Sequence, residues 1–111
     1  MCFKLTKTKG VQVIRLTENI TFSNARVFRD FLEERIESDP ASIIIDLKKV
    51  NFINSTGIGV LAAAHSTLKD SDRKLVLLNV RPEVVRVLQI IGFDSLILMT
   101  DDEDEAMSAC L

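Results

Sequence analysis

The sequence contains no tryptophan and no tyrosine. It therefore lacks the amphipathic rings on which base- and sugar-binding modules stack their ligands, and its phenylalanines fall mostly on apolar stripes. An excess of positive charge is also missing: 14 Lys and Arg stand against 16 Asp and Glu, for a formal net charge of -2. Such a chain has no surplus cation to neutralise a phosphate backbone, so nucleic acid is not an expected partner.

Long apolar runs are absent as well. The longest, Ile58 to Ala64, falls far short of the roughly 20 residues a membrane helix needs, and the N-terminus lacks the apolar core of a signal peptide. The expectation is a cytoplasmic protein without a membrane partner. The two cysteines, Cys2 and Cys110, lie at opposite ends of the chain. That spacing carries no metal-site pattern, and a reducing compartment keeps them as thiols, a terminal disulfide being the lesser alternative.

Catalytic groupings are equally scarce. The single histidine, His65, shares a helical stripe with Ile58, Leu61 and Leu68 and reads as a packed residue at the core edge. As a base for Ser55 it sits ten residues along a helix, about 15 Å of rise and beyond hydrogen-bond reach. Gly57-Ile58-Gly59 lacks the lysine and the spacing of a P-loop. No catalytic residue, cofactor or metal ligand is expected, and the chain is not read as an enzyme.

What remains is enough for one domain. At 111 residues, a split would leave two halves too small to bury adequate cores, so the chain is expected to be one complete domain spanning residues 1–111. Phe3 and Leu5 alternate with Lys4, and the extended pattern resumes from Val11 to Leu16. Lys9-Gly10 supplies a hairpin turn between them. Ser23 is expected to cap a helix whose apolar residues Val27, Phe28, Phe31, Leu32 and Ile36 fall at helical spacing. Arg26 with Asp30, and Arg29 with Glu33, sit one turn apart on its solvated side.

Asp39-Pro40 stops that helix. The β-branched run from Ser42 to Leu47 predicts a strand buried on both faces. A polar connection through Phe52-Ile53 leads to Asn54-Ser55-Thr56-Gly57, with a second helix read from Ile58 to Lys69. A buried strand follows from Lys74 to Asn79, then a helix opened by Pro82 and closed by Gly92. The last strand is predicted from Ser95 to Met99. The acids from Asp101 to Glu105 complement the dipole at the start of a terminal helix. The alternation implies an α/β fold: a mainly parallel sheet with an antiparallel N-terminal edge and about four helices. Phe28, Phe31, Ile44, Leu47, Leu75, Leu77, Leu88 and Ile97 are the expected core.

The chemistry concentrates between Asn54 and Gly59. A strand delivers short polar residues to a helix start, and two glycines remove bulk beside the hydroxyls, so Ser55 is expected to be accessible there. Free N–H groups and the helix dipole favour an anion at that end. A phosphate on Ser55 adds about -1.5 to -2 charges and changes what the surface can dock against. Thr56 is the second-choice acceptor. The helix beyond is apolar around more than one face; whether Val60 and Ala63 are buried or form a contact patch is open at this stage.

The run Ile43 to Gly59, IIIDLKKVNFINSTGIG, resembles the STAS domain of anti-sigma-factor antagonists, in which a buried strand leads to an Asp-Ser-Ser/Thr-Gly-Leu-Gly phosphorylation motif. ENITFSNA, from Glu18 to Ala25, looks like the family's loop before its first helix. VLQIIGFDSLILMTDDEDEAM looks like its C-terminal third. The resemblance implies a STAS fold and a partner switch. The unphosphorylated protein binds a serine kinase of the histidine-kinase-like ATPase superfamily, phosphorylation at Ser55 releases it, and a metal-dependent serine/threonine phosphatase restores it. The implied contact residues are Thr21, Phe22, Asn24, Asn54, Ser55, Thr56, Gly57, Ile58, Gly59, Val60 and Ala63, on a monomer or weak dimer. Two positions depart from the family pattern: Asn54 stands where Asp is commonest, and Thr21 where the loop often has Asp. Within the same fold, the competing role is a scaffold or regulatory subunit that is not phosphorylated.

Overall fold

A computed structural model describes residues 3–111. The chain opens with β1 (Phe3–Thr8) and β2 (Val11–Leu16), paired antiparallel with Thr8 opposite Val11. The two turn residues, Lys9 (φ 52°) and Gly10 (φ 79°), are both left-handed. A type I′ hairpin turn requires this, and only glycine adopts it without strain. β3 (Ile43–Asp46), β4 (Leu75–Leu78) and β5 (Leu98–Thr100) then add in parallel, giving a five-stranded sheet in the order β1-β2-β3-β4-β5.

Helices α1 (Ala25–Ser38), α2 (Ser55–Asp70) and α3 (Pro82–Ile90) cover one face of the sheet, and α4 (Glu103–Cys110) covers the other. The apolar spacing of each helix explains the first layer: Phe28, Leu32 and Ile36 of α1, Leu61, Ala64 and Leu68 of α2, and Val84 and Leu88 of α3 are all buried there. The unbroken run of β3 is explained by the alternation of side chains. Ile43 and Ile45 enter the three-helix layer, while Ile44 joins Val13, Val76, Ala106 and Met107 beneath α4. Leu47, Leu75, Leu77 and Ile97 are core residues, as expected.

Several local expectations are corrected. Val27 is 48% exposed, outside the stripe that α1 buries. Phe31 is only partly buried and stacks on Phe3 of β1, ring centroids 4.1 Å apart. Ser23 does not cap α1, because the backbone already closes the entry: Ala25 N–H donates to Thr21 O at 2.9 Å, and Ser23 and Thr21 share a hydroxyl contact of 2.9 Å.

The predicted last strand is displaced toward the C-terminus. Gly92 is left-handed (φ 76°) and starts a 3-10 turn at Phe93–Ser95, held by Ser95 Oγ donating to Gly92 O at 2.8 Å, so β5 begins only at Leu98. β4 ends at Leu78 because Asn79 turns left-handed (φ 56°). In the terminal acidic run, Asp102 caps α4, accepting from Asp104 N–H at 2.9 Å and Glu105 N–H at 3.3 Å. Cys110 is a half-buried thiol whose pKa is pushed up by burial; its considered disulfide partner, Cys2, lies outside the described residues.

Candidate functional site

The site is built at the carboxyl ends of β2 and β3, where two loops are fastened to each other. Ile20, in the loop after β2, forms a parallel bridge with Ile53: Ile20 N–H donates to Phe52 O, and Asn54 N–H donates to Ile20 O, each at 3.0 Å. Asn19 reinforces the join from the same loop, its Oδ1 accepting from Asn51 N–H at 2.7 Å and Phe52 N–H at 3.2 Å. Asn24 braces that loop internally. Its Oδ1 accepts from Thr21 N–H at 2.8 Å, and its Nδ2 donates to Asn19 O at 2.8 Å and Glu18 Oε1 at 3.0 Å.

α2 starts on this platform, three residues earlier than the Ile58 of the sequence reading. The reason is its cap: Asn54 is extended (φ -75°, ψ 171°), and its Oδ1 accepts from Gly57 N–H at 2.8 Å. Ser55 and Thr56 are therefore the first two helical residues, and both are exposed. Neither hydroxyl has a hydrogen-bond partner among the described residues. With Gly57 N–H held by the cap and Ile58 N–H bonded to Asn54 O, the amides of Ser55 and Thr56 are left facing the open end of the helix.

The two glycines serve different ends. A Cβ on Gly57 would lie 2.7 Å from Ile20 Cγ2 and 2.8 Å from Ile53 Cγ2, so this buried glycine lets α2 sit down on the joined loops. A Cβ on Gly59 would meet nothing within 4 Å.

The residues expected to form a contact surface thus divide. Phe22 (92% exposed), Ser55, Thr56, Gly59 and Ala63 face outward, and Thr21, Asn54 and Ile58 are half-buried. Asn24, Gly57 and Val60 are buried and support that surface from below. The question left open for the second helix is answered by splitting it: Val60 packs inward while Ala63 remains outside. His65 is half-buried on α2. Sequence reasoning missed Asn19, Ile20 and Phe52, the last of them 53% exposed beside the helix start. Asn19 left a faint signal, as an amide in a loop, where such side chains bind backbone N–H groups.

An N-terminal hairpin, a parallel sheet laid down in chain order and a helix opening on exposed hydroxyls define a mixed α/β domain of STAS type. The chain belongs to the STAS domain family, whose model matches residues 3–106. Among curated relatives it is similar to the anti-sigma F factor antagonist of Paenibacillus polymyxa, 24% identical over 90% of this chain and 86% of that protein. A STAS domain protein from Planctomyces limnophilus superposes with a TM-score of 0.86 at 22% identity, covering 98% of this chain and 97% of the other. The anti-sigma factor antagonist SpoIIAA, solved unphosphorylated, superposes at 0.79 with 24% identity, covering 97% and 95%. The same Bacillus protein in its phosphorylated form superposes at 0.74, also with 24% identity, covering 97% of this chain and 98% of the other. Among the described residues, no helix is long and apolar enough to cross a membrane.

Proposed function

We propose that this protein is an anti-sigma-factor antagonist that works as a phosphorylation-controlled partner switch. Unphosphorylated, it binds and occupies a regulatory serine kinase of the histidine-kinase-like ATPase superfamily. That kinase transfers a phosphoryl group to Ser55 Oγ, and the product dissociates. A metal-dependent serine/threonine phosphatase returns the protein to its binding form. The action takes place in the cytoplasm, and the protein itself performs no catalysis.

The observation that carries this reading is the exposed Ser55 hydroxyl, without a hydrogen-bond partner among the described residues, as first residue of α2 on a platform braced by Asn19, Asn24 and Asn54. A phosphate there meets the free amides and positive end of the helix, so the fold can accept it without rearranging. The change is in the surface. Around the start of α2, where Phe22, Phe52 and Ala63 are also exposed, the surface gains a bulky dianion, which a docked partner must accommodate or release.

The test uses the purified protein, the switch kinase encoded nearest to it, and ATP. Intact-mass and fragment spectra are expected to show one phosphate on Ser55. Ser55→Ala should abolish that addition while leaving the melting temperature nearly unchanged, and Ser55→Asp should weaken kinase binding. Tight binding by Ser55→Asp would overturn the switch. A protein that binds the kinase and is never phosphorylated would be a scaffold instead.

A further inference from the structure

α1 and α2 pack side by side and leave between them a groove of about 520 Å³, floored by apolar residues that include Leu32 and Val60. One wall is α2, which presents Gly59 and Ala63; the other is α1, which presents Arg29, Glu33 and Glu37. Both walls carry features that do the isolated chain no good. Gly59 lies inside a helix, where glycine is less favourable than alanine, and unlike Gly57 it has no neighbour that requires its missing side chain.

Glu33 and Glu37 are exposed and one turn apart on the same helix, an arrangement that repels. Among the described residues, neither carboxylate has an ion-pair partner. The one cation lining the groove, Arg29, pairs with Asp30 at 3.2 Å, and Arg35 pairs with Asp39 at 3.7 Å, so the two glutamates leave the groove with a net negative wall.

We infer that this groove is a docking site for a basic amphipathic helix of a protein partner. The missing side chain at Gly59 and the small one at Ala63 let the incoming backbone approach closely. Its small apolar residues seat against Ala63 over a floor formed by the buried Val60 and Leu32, and its lysines or arginines meet Glu33 and Glu37. Thr56 lines the groove too, so the bound helix reaches the residue next to Ser55. The inference draws on the switch reading only in taking the partner to be a protein.

Two synthetic amphipathic peptides test it, one of lysine, alanine and leucine, the other with glutamate in place of lysine. With the isotopically labelled protein, the basic peptide is expected to shift the amide signals of Glu33, Glu37, Gly59 and Ala63, and the acidic peptide to leave them in place. Replacing both Glu33→Gln and Glu37→Gln should weaken the basic peptide about five- to tenfold, the worth of two exposed ion pairs. Gly59→Ala should raise the melting temperature by about 4 °C and yet weaken peptide binding.

Equal binding of both peptides, shifts confined to other surfaces, or full affinity in Gly59→Ala would overturn the inference. So would concentration-dependent shifts of the groove signals without peptide, which mark self-association. Ser55 phosphorylation is scored separately on the same samples: peptide binding without phosphorylation leaves the groove standing and removes the switch, and the converse removes the groove alone.

Discussion

At the scale of single residues, the site depends on atoms that are absent. Gly57 is where α2 touches the joined loops, and a methyl group there would fall inside van der Waals contact with two branched, buried side chains, Ile20 and Ile53. Neither can swing aside, because both are packed in the core. Gly57→Ala is therefore expected to lower stability by about 1 to 3 kcal/mol, read as a reduced urea midpoint at unchanged slope. In the sequence, Gly57 and Gly59 looked alike, as two places where bulk is removed beside hydroxyls. Only the neighbours brought up by the fold separate an internal close approach from a surface left open. The same limit applied to Asn24, which was read as a contact residue and is instead turned inward onto Thr21, Asn19 and Glu18.

At the scale of elements, the start of α2 is set by one amide. Asn54 extends the helix back to Ser55 by holding Gly57 N–H. Asn54→Ala should cost about 0.5 to 2 kcal/mol and loosen the first turn, measurable as a lower melting temperature and faster amide exchange at Ser55 and Thr56. Element types were legible from pattern and length, since the apolar runs of β3 and β4 are too short for helices and bounded by polar or turn residues, while 3.6-residue rows mark α1, α2 and α3. Boundaries were less so. The expected Ser23 cap was displaced by a backbone turn at Thr21, and the expected strand at Ser95 yielded to a 3-10 turn begun by left-handed Gly92. In both places a local hydrogen bond competed with the pattern, and the sequence contains both options.

At the scale of the whole molecule, Asp39 gathers the hairpin and α1. Its carboxylate binds Lys7 Nζ of β1 at 2.9 Å, accepts from Ala41 N–H at 2.9 Å, and lies 3.7 Å from Arg35 Nη2. The Lys7 hydrogen bond chiefly, then the Ala41 amide, hold its pKa below the usual carboxylate value of 3.8. A carboxylate with a depressed folded pKa stabilises the fold above its unfolded pKa, and the contribution disappears as pH falls through the folded value. The protein should thus melt above its Asp39→Asn variant at neutral pH, and the gap between the two melting curves should close as the solution is acidified below the ordinary carboxylate range.

The sequence by itself determined the class of fold, the buried strands, the helical rows and the position of Ser55 at a helix start. These follow from the order of residues along a few turns or one strand, where spacing alone decides which side chains share a face. Tertiary structure decided the rest: which hydroxyls and small residues face outward, that the loops of Ile20 and Ile53 form one platform, and that α1 and α2 enclose a groove walled by Gly59 and Glu33. Those outcomes depend on residues some 30 positions apart meeting where loops and helices come together, as Asn19 meets Asn51 at the carboxyl end of the sheet. Local spacing carries no record of such meetings, because the free energy that selects them comes from burial and hydrogen bonding between elements.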